Sequence, residues 1–130
     1  MTVTPIYAGI LAILFFVLSL RVVTVRGRVS LGDGGDPLVL RRMRGHANFA
    51  EYVPFILLMM GILELSHFSI YFLHGAGIVL VVARLLHGYA LSFTEKFKFG
   101  RFWGTALTFG LLLVCGVLCL YQGLRASAIL

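Results

Sequence analysis

Charge is what this chain has least of. Only 12% of its 130 residues are charged, roughly half the share carried by an ordinary soluble domain. By contrast 60% are hydrophobic, and the mean hydropathy is +1.00. The length fits one domain, and the composition makes lipid its main solvent. The opening "MTVTPIYAG" lacks a basic n-region and no small-residue cleavage site follows, so the first apolar run reads as a retained membrane helix rather than a signal peptide. No nucleic-acid-reading motif accompanies the net charge of +6. The cations lie between apolar runs, where anionic lipid headgroups are the counter-charge they fit, and no nucleic-acid partner is expected. Cysteine is scarce too. Cys115 and Cys119 stand four apart in an apolar run, on one helical face with parallel side chains, which suits packing better than a disulfide, a metal pair or a nucleophile. Glu64 and His67 form a single E-x-x-H spacing; a di-metal bundle needs a second one and further carboxylates, so no metal is expected. Repeats and low-complexity segments are absent.

What the chain does have is four apolar stretches, and crossing the hydrocarbon core takes about 20 helical residues. The expected fold is all-α: one integral membrane four-helix domain, residues 1–130, with helices at about 5–25, 37–65, 70–91 and 102–124. The second is the informative one. Between Glu51 and Glu64 lie only twelve uncharged residues, 52–63, too few to cross. The span must extend back through Ala47, which takes Asn48 and Glu51 into or near the membrane. Asp36 before Pro37 predicts an N-cap and first helical residue. Cations orient the bundle: Arg26, Arg28, Arg41, Arg42 and Arg44 surround the first link, Lys96, Lys98 and Arg101 the third, and the middle link has none. With cationic loops cytoplasmic, both termini lie outside. Phe97, Phe99, Phe102 and Trp103, interleaved with Lys96 and Lys98, read as an interfacial anchor.

Arg44, Asn48 and Glu51 are spaced i, i+4, i+7, so they share one helical face over roughly 10 Å of rise. Tyr52 flanks that face, and His46 points elsewhere as an interfacial or packing residue. Two plainer readings compete: interhelical salt bridges for Arg44 and Glu51, and an Asn48 that glues helices. Arg41 and Arg42 read as topology signals. For the Arg44–Asn48–Glu51 face the functional reading is stronger, because ionisable groups at membrane depth are costly and mark sites. Pro54 inside this helix either shapes it or is merely tolerated, as membrane bundles allow. Arg21 and Arg26 of the first helix, Arg84 and His87 of the third and Arg101 of the fourth lie toward the same side, predicting a cationic cavity for a small polyanion. Arginine there binds carboxylates bidentately, and Glu51 accepts from an ammonium group.

"RGHANFAEYVP" resembles the second-helix signature of the membrane-associated proteins in eicosanoid and glutathione metabolism (MAPEG), approximately R-x-x-x-N-x-x-E-Y-x-P. Arg44, Asn48, Glu51, Tyr52 and Pro54 match it. "ARLLHGYALS" and "GRFWGTALT" resemble the family's third-helix segment and fourth-helix opening, and with "GDGG" the similarity spans essentially the whole chain, nearest to short bacterial members. The resemblance implies a homotrimer, a bacterial inner membrane, and glutathione as cosubstrate between subunits; the charge-derived topology puts the site toward the cytoplasm. It assigns glutathione binding to Arg44, Asn48, Glu51 and Tyr52, to Arg84, His87 and Tyr89 of the third helix, and to Arg26 of the first, with Arg21 and Arg28 as competitors. Arg101 matches the family's thiolate-stabilising arginine and is the catalytic candidate. Leu85 and Leu91 stand where some eukaryotic members carry tyrosines, which argues against eicosanoid chemistry.

The activity so implied is transfer of glutathione to, or reduction of, a hydrophobic electrophile dissolved in the bilayer. Two rivals belong to other classes. A proton-coupled multidrug exporter has this size, but such exporters rely on a first-helix carboxylate, and the first helix here has no acid. A non-catalytic scaffold would use the polar face only to dock a partner, and would bind no glutathione.

Overall fold

The computed structural model describes residues 1–27, 32–94 and 96–129. Four helices follow one another: α1 (Thr4–Arg26), α2 (Pro37–Leu65), α3 (Ile70–Ser92) and α4 (Lys98–Ala126). Each is long and apolar enough to cross a membrane, and the described residues contain no strand. The start of α2 is local chemistry. Asp36 holds extended backbone, its carboxylate accepts the Leu38 N–H at 2.9 Å, and Pro37 fills the first helical position. There the missing proline donor costs nothing, because that N–H would be unpaired anyway. The helix then runs unbroken through Pro54 to Leu65.

The fourth helix begins at Lys98, four residues before the apolar run that marked its expected start at 102. Lys98 and Phe99 lie outside that run, but nothing in them stops a helix, so backbone hydrogen bonding continues beyond the hydrocarbon. Arg101 therefore sits within the first turn of α4, where the unpaired N–H groups and the positive end of the macrodipole add to its charge. No side chain among the described residues caps that turn.

Helices α2 and α3 form the central pair. Helix α1 packs on one side of them and α4 on the other, and α1 does not touch α4 among the described residues. Leu11 and Leu18 of α1, Val53, Ile56, Met60 and Leu63 of α2, Leu73 and Leu80 of α3, and Cys115 of α4 form a sealed core. Outward faces are apolar as well; Ile13, Phe16, Leu113 and Leu120 are all exposed. That inversion suits a bilayer, where outward apolar side chains lose nothing to water.

At the end of the bundle holding the N-terminus, α1 has no side-chain cap of its own. Glu64, near the end of α2, supplies one: its carboxylate accepts the backbone N–H groups of Thr2, of Val3 at 2.7 Å and of Thr4 at 2.7 Å. A carboxylate at a helix N-terminus satisfies orphan donors and the dipole together. Both oxygens of the E-x-x-H acid are thus engaged in tying α1 to α2. Replacing Glu64 with alanine should lower stability by about 0.5–2 kcal/mol, read as a fall in the thermal unfolding midpoint in detergent; an unchanged midpoint would remove this cap as a structural tie.

Candidate functional site

Three helices meet at the other end. The α2 face of Arg44, Asn48 and Glu51, together with Ala47, faces His87 and Leu91 of α3 and Arg101 and Thr105 of α4 around a cavity of about 250 Å³. Glycines set the approach. A Cβ at Gly45 would stand 3.2 Å from Leu91 Cβ, so α2 and α3 touch closely beside Arg44. A Cβ at Gly104 would stand 2.7 Å from both the Ala83 carbonyl oxygen and His87 Cβ, and one at Gly100 would stand 2.8 Å from the Leu86 carbonyl oxygen. Any side chain at Gly104 would force α4 away from α3, and Arg101 and Thr105 would move with it.

Arg44, Glu51 and Arg101 are exposed at the mouth, Asn48 is half-buried, and His87 forms the floor at 3% exposure. None of the three charged groups makes a hydrogen bond or ion pair with another described residue. That disposes of interhelical salt bridges for Arg44 and Glu51 among the described residues. Two guanidiniums against one carboxylate leave the mouth with excess positive charge, reinforced by the start of α4.

Arg84 stands apart. It is 0% exposed and lies beneath the cavity rather than in its lining. Its Nη1 donates to Asn48 Oδ1 at 2.8 Å and, weakly, to Thr108 Oγ1 at 3.5 Å; its Nη2 donates to His87 Nδ1 at 3.2 Å. The Phe49 ring lies 5.4 Å from its Cζ, and Nε is buried without a partner. No carboxylate reaches this guanidinium among the described residues. Burying an unpaired cation is costly, and such groups inside membrane bundles pair with polar neighbours and mark functional regions.

The remaining sequence candidates lie outside this lining. Tyr52 packs its ring 5.3 Å from that of Phe109. Tyr89 is exposed and lies against Phe93 and Phe97, at 5.9 Å and 5.6 Å. Arg26 is exposed at the end of α1, across the α2–α3 pair from the cavity. Arg21 donates to the Ser92 carbonyl at 2.6 Å and lies 3.9 Å over the Phe93 ring. It fastens α1 to the end of α3 and does not join the cavity. Arg28 lies outside the described residues. His46 stacks on Phe15 at 4.6 Å and reaches Ser19 Oγ at 3.1 Å, a packing role between α1 and α2.

Thr105 and Thr108 were not singled out in the sequence, although each lies a whole number of turns after Arg101, at i+4 and i+7. Thr105 also lines a second space with Arg101: an open groove of about 500 Å³ bounded by Lys98, Phe102, Ala106 and Phe109. A polar cavity and an apolar groove therefore share one wall, and Arg101 stands in it.

The MAPEG family model matches residues 4–121. The chain belongs to the MAPEG family. It is 36% identical, over 89 residues, to the inner membrane protein YecN of Escherichia coli strain K12, covering 67% of this chain and 68% of that one; the YecN of strain O6:H1 gives the same values. No solved structure matches significantly. As a MAPEG member with four apolar spans, the protein is a multi-pass integral membrane protein. The family includes glutathione transferases and peroxidases, and its members use glutathione.

The glycine contact yields a direct check. Gly104→Ala should cost about 1–3 kcal/mol through overpacking against Ala83 and His87, seen as a lowered unfolding midpoint in detergent. A midpoint matching that of the parent protein would mean that α3 and α4 do not approach this closely.

Proposed function

We propose that this protein binds glutathione in the α2–α3–α4 cavity and transfers it to, or uses it to reduce, hydrophobic electrophiles that arrive from the bilayer. The observation that carries this reading is the pair of spaces sharing Arg101 and Thr105, one polar and cationic, the other apolar. Glutathione carries two carboxylates and an ammonium group. Arg44 suits a carboxylate, Glu51 suits the ammonium, and the polar floor suits the remaining acceptors.

The chemistry asked of the protein is thiol activation. A cysteine-like thiol has a pKa of about 8.5 and is mostly protonated at neutral pH. Lowering it by two units takes about 2.7 kcal/mol of preferential thiolate stabilisation. One guanidinium in a partly desolvated site supplies energy of that order, and Arg101 is the group we assign. The thiolate sulfur then attacks an electrophile held against Phe102, Ala106 and Phe109. In conjugation the sulfur bonds to the electrophilic carbon while the leaving group departs or a proton is taken up. In peroxide reduction the sulfur takes the distal oxygen as the O–O bond breaks and the alkoxide leaves, protonated, as an alcohol; a second glutathione thiol then displaces water from the sulfenic acid to give the disulfide. Neither Cys115 nor Cys119 has a part in this, since the nucleophile belongs to the cosubstrate.

We place the cavity on the cytoplasmic side, where the positive-inside rule puts Lys96, Lys98 and the Arg41–Arg44 run and where glutathione is abundant. Arg26 lies outside the lining of its own chain's cavity, so its participation calls for a neighbouring copy, as in the homotrimer that the family resemblance implies.

Titrating the purified protein with glutathione should give saturable heat and a thiolate absorbance band at neutral pH. Arg101→Ala should remove most of that band, consistent with about a hundredfold loss of thiolate stabilisation, while glutathione still binds. An unchanged band would take Arg101 out of the mechanism, and absence of any binding heat would end the glutathione reading.

A further inference from the structure

Arginine has donors only, five N–H groups and no acceptor. That fact fixes the hydrogens around Arg84. Its Nη1 lies 2.8 Å from the Asn48 side-chain oxygen. With the amide reversed, two donors would face each other at that distance, so the Asn48 carbonyl is turned inward and its NH2 group is left over. Its Nη2 lies 3.2 Å from His87 Nδ1. An Nδ1–H tautomer or an imidazolium would again set donor against donor, so Nδ1 carries a lone pair and the ring proton sits on Nε2. Neither Asn48 Nδ2 nor His87 Nε2 has a partner among the described residues. Neither is sealed off either, unlike Arg84 Nε. Both residues line the cavity.

We infer that Arg84 is a positioning residue that sets the hydrogen-bond polarity of the cavity, presenting the Asn48 amide and His87 Nε2–H as donors. The floor of the site is donor-only, and with Arg44 and Arg101 it selects a ligand rich in carboxylate and carbonyl acceptors. Among the described residues Glu51 is the one charged acceptor in the lining. His87 in this state has no lone pair to offer the cavity. It stabilises an anion by donation and does not act as a general base toward the bound thiol. Arg84 itself never reaches the ligand. Its burial with no carboxylate among the described residues is what makes the arrangement firm, because a guanidinium whose remaining partner is a 3.5 Å contact to Thr108 cannot release Asn48 or His87 without losing its main hydrogen bonds.

The inference names the ligand chemistry of the glutathione reading and rests on that reading only for the ligand's identity. The polarity belongs to the protein with nothing bound, and the first test uses no ligand. With isotope-labelled histidine in the detergent-solubilised full chain, and His87→Gln to assign the signal, nitrogen-detected resonance spectra should show His87 as the neutral Nε2–H tautomer. An Nδ1–H tautomer, or a protonated ring at neutral pH, would overturn the inference whether or not glutathione binds. Two variants then read the consequence. Arg84→Met removes the unpaired buried cation, so the fold should be retained or gain stability. His87 should then populate both tautomers, and affinity for glutathione should fall about tenfold or more. Asn48→Asp gives Arg84 a carboxylate but removes the cavity's amide donors, so thermal stability should rise while affinity falls about tenfold to a hundredfold. Parental glutathione affinity in both variants would overturn the inference. A parent protein that binds no glutathione but shows the Nε2–H tautomer would sink the proposed ligand and leave the polarity standing.

Discussion

A guanidinium enclosed in a membrane-spanning bundle, with no carboxylate beside it among the described residues, is the constraint around which this protein is arranged. Among the described residues, the terminal nitrogens of Arg84 on α3 find their partners on Asn48 of α2, Thr108 of α4 and His87 one turn away. Three helices must therefore converge at one level, and close approach requires that α4 present no side chain toward Ala83 and His87. Gly104 meets that requirement. Shift any one helix and an ionised group is left unpaired in a medium that offers nothing in exchange.

The two ends of the bundle treat their polar groups in opposite ways. Where α1 begins, Glu64 accepts three backbone N–H groups, and Tyr7 pairs its hydroxyl with His74 Nδ1 at 2.9 Å. Those groups answer one another, and the result is structure. At the other end Arg44, Glu51 and Arg101 face a cavity without partners among the described residues, over a floor whose own hydrogen bonds are already directed inward. Groups that the fold leaves unanswered around a concave space are the ones available to a ligand. Arg101 occupies the boundary where that space meets the apolar groove along α4, which is where a water-soluble thiol and a bilayer-dissolved partner would meet.

Side-chain polarity alone does not separate these two kinds of group. Arg21 and Arg26 look in sequence like further members of the cationic cluster. Yet α1 lies across the α2–α3 pair from α4, so Arg21 ends on the Ser92 carbonyl and the Phe93 ring, and Arg26 stays outside the cavity lining. Tyr52 flanks the Arg44–Glu51 stripe by helical arithmetic, but its ring is held against Phe109. In each case a neighbouring helix that the one-dimensional pattern does not specify claims the side chain first.

Sequence by itself determined whatever depends on one helix at a time. Apolar length sets the four spans, Asp36 and Pro37 set where α2 begins, and the 3.6-residue turn puts Arg44, Asn48 and Glu51 on one face. The short uncharged interval between Glu51 and Glu64 draws that face into the membrane region. Tertiary structure decided what depends on several helices together. It set which cations share a space, sank Arg84 beneath the site instead of lining it, joined Thr105 to both the cavity and the groove, and turned the Asn48 amide and His87 ring. Backbone hydrogen bonds within a helix are local and fix its register, whereas the partner of a buried guanidinium is whichever acceptor an adjacent helix brings within about 3 Å.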